Sequence, residues 1–139
     1  MLATAGVQRY QSVRVTTSTP GELLLMLYDG LFRFLGEASS ALKSGNRALA
    51  GTRVDKAHAI LTELTAGLNP KYAPQLCANL EAVYGFCMTH LVEANIHQDP
   101  RRIENVLRVL APLREAWITV VRSPEAQAQA QAHAAEAGR

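Results

Sequence analysis

The stretch S-T-P-G-E-L-L-L-M-L-Y-D-G-L-F-R-F-L, residues 18–35, decides the fold. Thr19 stands where a helix N-cap belongs, Pro20 at the first helical position and Glu22 three residues after the cap. Thr19 and Glu22 can each accept from the other's backbone N–H, and Pro20 has no N–H to leave unpaired. Five consecutive apolar residues follow at 23–27, then Tyr28, Asp29 and Gly30, then Leu31, Phe32, Phe34 and Leu35. Too much of this circumference is apolar for a one-sided surface helix. The helix is either buried on most sides or keeps a second face for a partner.

Outward from that stretch the chain reads as helices. The spacing of Leu24, Leu27, Tyr28, Leu31, Phe34, Leu35, Ala38 and Leu42 predicts a first helix over 20–42, stopped by Lys43, Ser44, Gly45 and Asn46, with a connection over 44–51. Val54, Ala57, Leu61, Leu64 and Leu68 form a narrow 3,4-spaced seam, widened by Ile60 and ended before Pro70. A third helix over 74–95 turns Leu76, Leu80, Val83, Tyr84, Cys87, Leu91 and Ala94 inward and leaves Phe86 and Met88 off the stripe. Asp99 and Pro100 restart the chain as cap and first residue of a fourth helix built on Ile103, Val106, Leu107, Leu110, Leu113, Trp117 and Val121. Pro112 is expected to kink it and Pro124 to end it.

The fold class is therefore all-α: an antiparallel up-and-down four-helix bundle over 18–123. An N-terminal arm over 1–17, with Val7, Tyr10, Val13 and Val15 as apolar anchors, is expected to be mobile and able to dock on the body. The Ala/Gln tail over 124–139 has no apolar face to bury and is expected to be disordered.

Composition bounds the function. The 139 residues suit one domain, and 48% apolar with 19% charged residues describes a folded chain. The 14 basic residues are scattered and leave a net charge of +2, too diffuse for a nucleic-acid footprint. No apolar run approaches a membrane span, and the first residues lack a secretory pattern, so a cytoplasmic protein with no membrane insertion is expected. Cys77 and Cys87 on one helix are roughly 15 Å apart along its axis, too far to bridge.

Chemistry is sparse. A di-metal bundle needs duplicated Glu-x-x-His pairs. Here Asp55 with His58, and the row His90, Glu93 and His97, are not duplicated, and solvated polar faces account for them better. No nucleophile elbow, phosphate loop or H-E-x-x-H motif occurs, so no enzyme, metal or cofactor is expected. Asp29 reads as an i,i+4 surface partner of Arg33, with a polar group at the edge of a binding surface as the lesser reading. The anomaly is surplus apolar surface: Leu23, Leu25, Met26, Phe32, Phe86 and Met88 exceed what one stripe requires. Part of it belongs in the core; the rest suits a groove that accepts an amphipathic segment.

The Thr19-Pro20-Gly21-Glu22-Leu23 entry and Leu27-Tyr28-Asp29-Gly30 resemble the flagellar secretion chaperones of the FliS family. The likeness continues through Tyr10, Ala57, Ile60, Glu63-Leu64, Leu68-Asn69, Asn79-Leu80, Tyr84, Leu91, Ala94-Asn95, Asp99 and 113–117. The resemblance implies an export chaperone that binds the disordered C-terminal segment of flagellin, prevents premature polymerisation and aids delivery to the flagellar type III export apparatus. Export-gate components would be further partners, and the protein itself a monomer or weak homodimer. Helical faces place Leu24, Tyr28, Asp29, Ile60, Leu64, Leu68, Leu80, Tyr84 and Met88 in the flagellin groove, and Tyr10 on the arm is expected to cover that groove until the client displaces it. A generic bundle adaptor for another amphipathic helix is the alternative.

Overall fold

Thr19 and Glu22 close the capping box: the Thr19 N–H reaches Glu22 Oε2 at 3.4 Å, and the Glu22 N–H reaches Thr19 Oγ1 at 3.1 Å. In the computed structural model, which describes residues 19–137, this cap starts α1 (Pro20–Lys43). The expected arm, and Tyr10 with it, lies outside the described residues. Gly45 ends α1 with φ 79°, a left-handed turn that glycine adopts without steric cost, while the Asn46 N–H returns to the Ala41 carbonyl at 2.8 Å.

Asn46 at once caps α2 (Arg47–Ala66), its side chain accepting from the Leu49 N–H at 3.2 Å. The connection expected over 44–51 is therefore shorter: residues 47–51 are helical, because Asn46 supplies a cap and Ala48, Leu49 and Ala50 favour the helix. α3 (Pro74–His97) runs two residues beyond the predicted 95 and stops at Gln98, which takes the left-handed conformation at φ 53°. Asp99 caps α4 (Pro100–Val121), accepting from the Arg101 N–H at 3.0 Å. The helix continues through Pro112.

The tail departs most from expectation. Pro124 does not merely end α4; it opens α5 (Pro124–Ala137). The Ser123 hydroxyl accepts from the Ala126 N–H at 3.2 Å, Pro124 fills the first position and Glu125 meets the positive end of the helix. Capping and alanine propensity thus form a helix where no apolar face was available to predict one.

The described residues form an all-helical bundle of five helices. α1 packs on α2 and α4, α3 packs on α2 and α4, and α5 touches only α4. The core runs through the first four helices and includes Leu31, Leu35, Ala57, Leu61, Cys87, Leu91, Ile103, Val106 and Leu110. Packing is uneven along the axis. The first buried residue of α1 is Tyr28, and none of residues 20–27 is buried. In α4 the buried residues are Ile103, Val106 and Leu110, all before Pro112.

This distribution sets stability. Leu91→Ala removes a fully buried side chain and should cost about 2–5 kcal/mol in urea denaturation. Removal of residues 124–139 should change the unfolding free energy by less than about 0.5 kcal/mol, because α5 adds no residue to the core.

Candidate functional site

Tyr28 and Tyr84 come from α1 and α3, which face each other across the bundle. Their hydroxyls meet at 2.5 Å in the interior, and the Trp117 Nε1–H of α4 donates to Tyr28 Oη at 3.2 Å. Each phenol oxygen has a hydrogen-bond partner, as buried polar groups require. Burial pushes the Tyr28 phenol above its usual pKa, with the hydrogen bonds to Tyr84 and Trp117 acting in the opposite sense. Tyr84 is raised further, first by burial and then by its bond to Tyr28. Cys87, fully buried beside them, is pushed up to about 11 by burial alone and stays a thiol.

Asp29 follows Tyr28 but points elsewhere. Its Oδ1 accepts from Arg114 Nη2 at 2.6 Å and Nε at 3.1 Å. The expected pairing with Arg33 is thus replaced by a bridge to α4, because Asp29 lies on the α4 side of α1. The Arg33 guanidinium instead lies 4.9 Å from the ring centre of Phe34. The Arg114 guanidinium also covers Phe32 at 5.7 Å.

Of the residues placed in the groove from sequence, Tyr28, Ile60, Leu64, Leu80 and Tyr84 are core side chains in this structure. Leu24, Leu68 and Met88 are half-buried and pack against that core, and Asp29 is exposed. Met88 faces α2, where the Thr62 hydroxyl lies 3.8 Å from its sulfur. Leu23, Leu25, Met26 and Phe32 of the apolar surplus are all half-buried. Phe86 is the one that stands out, at 45% exposed.

Phe86 belongs to a larger feature. Leu76, Val83, Phe86, His90 and Glu93 follow one another at helical spacing along one edge of α3. Arg102, Val109, Leu113, Ala116 and Val120 do so along one edge of α4. Arg102 Nη1 reaches Glu93 Oε2 at 2.6 Å, which identifies these as the edges turned toward each other. The side chains along these edges are apolar and open to solvent: Leu76 is 49% exposed, Val109 36% and Val120 56%. Four of the large apolar side chains left exposed in the described residues therefore share one strip, flanked by half-buried Val83 and Leu113. Sequence reasoning missed Val109 and Val120, which sit just off the inward stripe of α4; the exposed Phe86 was the signal available.

The row His90, Glu93, His97 serves this edge. The His90 ring stacks on Phe86 with centroids 4.2 Å apart, and the Glu93 carboxylate is taken by Arg102. Among the described residues no three His, Cys, Asp or Glu side chains gather at metal-binding distance. A wide-mouthed depression of about 700 Å³ beside α1 is walled by Phe32, Glu37, Ser40 and Leu49 among others, with no histidine or cysteine in its lining. None of the described helices is long and apolar enough to cross a membrane. The arrangement offers apolar surface with polar edges, the chemistry of a seat for an amphipathic chain.

Comparison with known proteins finds relatives along most of the chain. The family model described as "Flagellar protein FliS" matches residues 3–124. The flagellar secretion chaperone FliS of Bacillus subtilis is 34% identical over 114 residues, covering 82% of this chain and 84% of its own length. That of Salmonella typhimurium is 31% identical over 134 residues, covering 93% of this chain and 98% of its own. A Vibrio cholerae chaperone of the same name is 26% identical over 115 residues, with 80% and 85% covered.

The buried hydroxyls and thiol make stability fall at high pH. For a group whose folded pKa lies above its unfolded value, only the unfolded state loses its proton in between, so stability is complete below the unfolded pKa and declines above it. For Cys87 the interval runs from 9.0 to about 11. Its contribution is a loss of about 1.4 kcal/mol per pH unit, which Cys87→Ala should remove from a urea-denaturation pH series. Tyr28 and Tyr84 extend the decline upward from pH 10. Tyr28→Phe, which strands the Trp117 N–H and the Tyr84 hydroxyl, should cost about 1–3 kcal/mol. Adding Tyr84→Phe should cost less than the two single changes summed.

Proposed function

This chain belongs to the family of the flagellar protein FliS, and from that membership we propose that it is a cytoplasmic export chaperone for flagellin. The observation that carries the reading is the open apolar strip of Leu76, Phe86, Val109 and Val120 between α3 and α4. A soluble protein gains nothing from leaving such a seam uncovered unless something covers it in use. Its 3,4-spaced side chains match those of an incoming amphipathic helix, and Met88, Leu24 and Leu68 extend apolar surface onto neighbouring grooves.

The client is the C-terminal segment of flagellin, disordered when free. Burial along a surface this long offsets the entropy lost when such a segment orders. Covering it keeps subunits from polymerising before export and holds them in a form the flagellar type III apparatus accepts. Components of the export gate are second partners in this scheme, and the chaperone acts as a monomer or weak homodimer without catalysis. Tyr10 and the arm around it occupy apolar surface until the client displaces them. Asp29 holds the rim, and Tyr28, Ile60, Leu64, Leu80 and Tyr84 form the floor beneath.

The first four helices are proposed to run antiparallel, up and down. Each packs on two neighbours in a closed ring, and the connections at 44–46 and 98–99 are too short to return a chain to its starting end.

The test is binding of a fluorescently labelled C-terminal flagellin segment by anisotropy. One-to-one binding is expected, and Phe86→Asp with Val109→Asp should weaken it at least about tenfold without loss of helix content. Full affinity in that variant would remove the α3–α4 groove from the interface. Tyr10→Ala should tighten client binding and raise the fluorescence of a hydrophobe-binding dye; neither change would end the placeholder role of the arm.

A further inference from the structure

α4 changes character at Pro112. Before it, Ile103, Val106 and Leu110 are fully buried; after it no residue is buried, and Leu113, Trp117 and Val121 are only half-covered. Pro112 itself is exposed and has no N–H to give the Arg108 carbonyl, so the helix loses a rung where its fully buried residues end. A helix with one such gap bends there more readily than elsewhere.

Beyond that point α4 meets α1 along one edge through Arg114, Trp117 and Val121, and Leu113 and Trp117 pack part-buried against the core. Arg114 holds Asp29 through a pair that solvent reaches from both sides. Trp117 gives its indole N–H to Tyr28. Val121 rests on the first turn of α1 at Gly21, where a Cβ would lie 2.9 Å from Val121 Cγ1. The ties are one exposed ion pair whose guanidinium also covers Phe32, one hydrogen bond, one close approach that a glycine permits, and the part-buried packing of Leu113 and Trp117. Opposite them, residues 20–27 of α1 are likewise unburied.

We propose that α4 beyond Pro112, with α5 attached, is a hinged flap that swings from α1 and uncovers the Tyr28–Tyr84 pair and the apolar first turns of α1. The hinge would make core residues available to a bound segment, joining them to the α3–α4 groove. Its use as a gate rests on the chaperone reading above; its mechanics do not.

The structure supplies a lock. The Cβ that a side chain at residue 21 would carry lies 3.5 Å from Val121 Cβ, within the span a disulfide needs. The full-length chain with Gly21→Cys and Val121→Cys is compared, oxidised and reduced, with the unaltered chain by amide hydrogen exchange. In the unaltered and reduced chains, amides at 113–121 should exchange at least about tenfold faster than those at 103–110, and oxidation should slow them to the same range. Equal protection on both sides of Pro112, or no effect of oxidation on 113–121, would overturn the flap.

Trp117, the single tryptophan, gives a check without new cysteines. Asp29→Asn, a change at an exposed residue, should increase acrylamide quenching of its fluorescence; unchanged quenching would show that the ion pair holds nothing shut. For the gate, the oxidised lock should bind the C-terminal flagellin segment at least about tenfold more weakly than after reduction. Equal binding with 113–121 locked would refute the gate and leave the chaperone reading intact. No binding by the unaltered chain, with the exchange difference present, would refute the chaperone reading and leave the hinge.

Discussion

The hydroxyl pair of Tyr28 and Tyr84 is the contact on which the rest of the bundle depends. α1 and α3 do not pack backbone against backbone; each lies against α2 and α4. The two tyrosines reach across that gap and meet at 2.5 Å, so opposite helices are joined through the interior by one hydrogen bond. Such a bond contributes modestly when made, but leaving either oxygen unpaired there costs its full desolvation. The pair therefore fixes the register of α1 against α3, and Trp117 fixes α4 against both.

That arrangement divides the molecule along its axis. On one side of the pair, leucine, isoleucine and alanine side chains from four helices close a dense core. On the other, the first turns of α1 and the last turns of α4 hold apolar residues that are only half-covered. A surface offered to a partner is drawn from the less stable part of a fold, because contacts already satisfied inside cannot be offered, and these half-covered turns meet that condition. The facing edges of α3 and α4 add to it, with Glu93 and Arg102 marking the polar end of an otherwise apolar strip.

Much of this was legible in the sequence because its local signals are strong. Caps at Thr19 and Asp99 and prolines at 20, 74 and 100 place three helix starts to the residue, and 3,4 spacing of leucines identifies the fourth helix. Asn46 and Ser123 were missed as caps, which shortened one predicted helix and hid another. Periodicity identifies an inward face but not its neighbour: Asp29 could be given a local partner, Arg33, while Arg114 lies 85 residues away. For the same reason tyrosines and leucines that sequence places on a binding face sit in the core, where their helical stripe also belongs. Exposure of Val109 and Val120 depends on how far α3 and α4 stand apart at their edges, which no single helix encodes.

Titration calorimetry with the C-terminal segment of flagellin, repeated at several temperatures, tests the central claim most directly. A disordered client that folds onto apolar grooves must show one-to-one binding with a large negative heat-capacity change, accompanied by a gain of helix. Binding with a heat-capacity change near zero would contradict an apolar seat, and a folded chain that binds no such segment would contradict flagellin as its client.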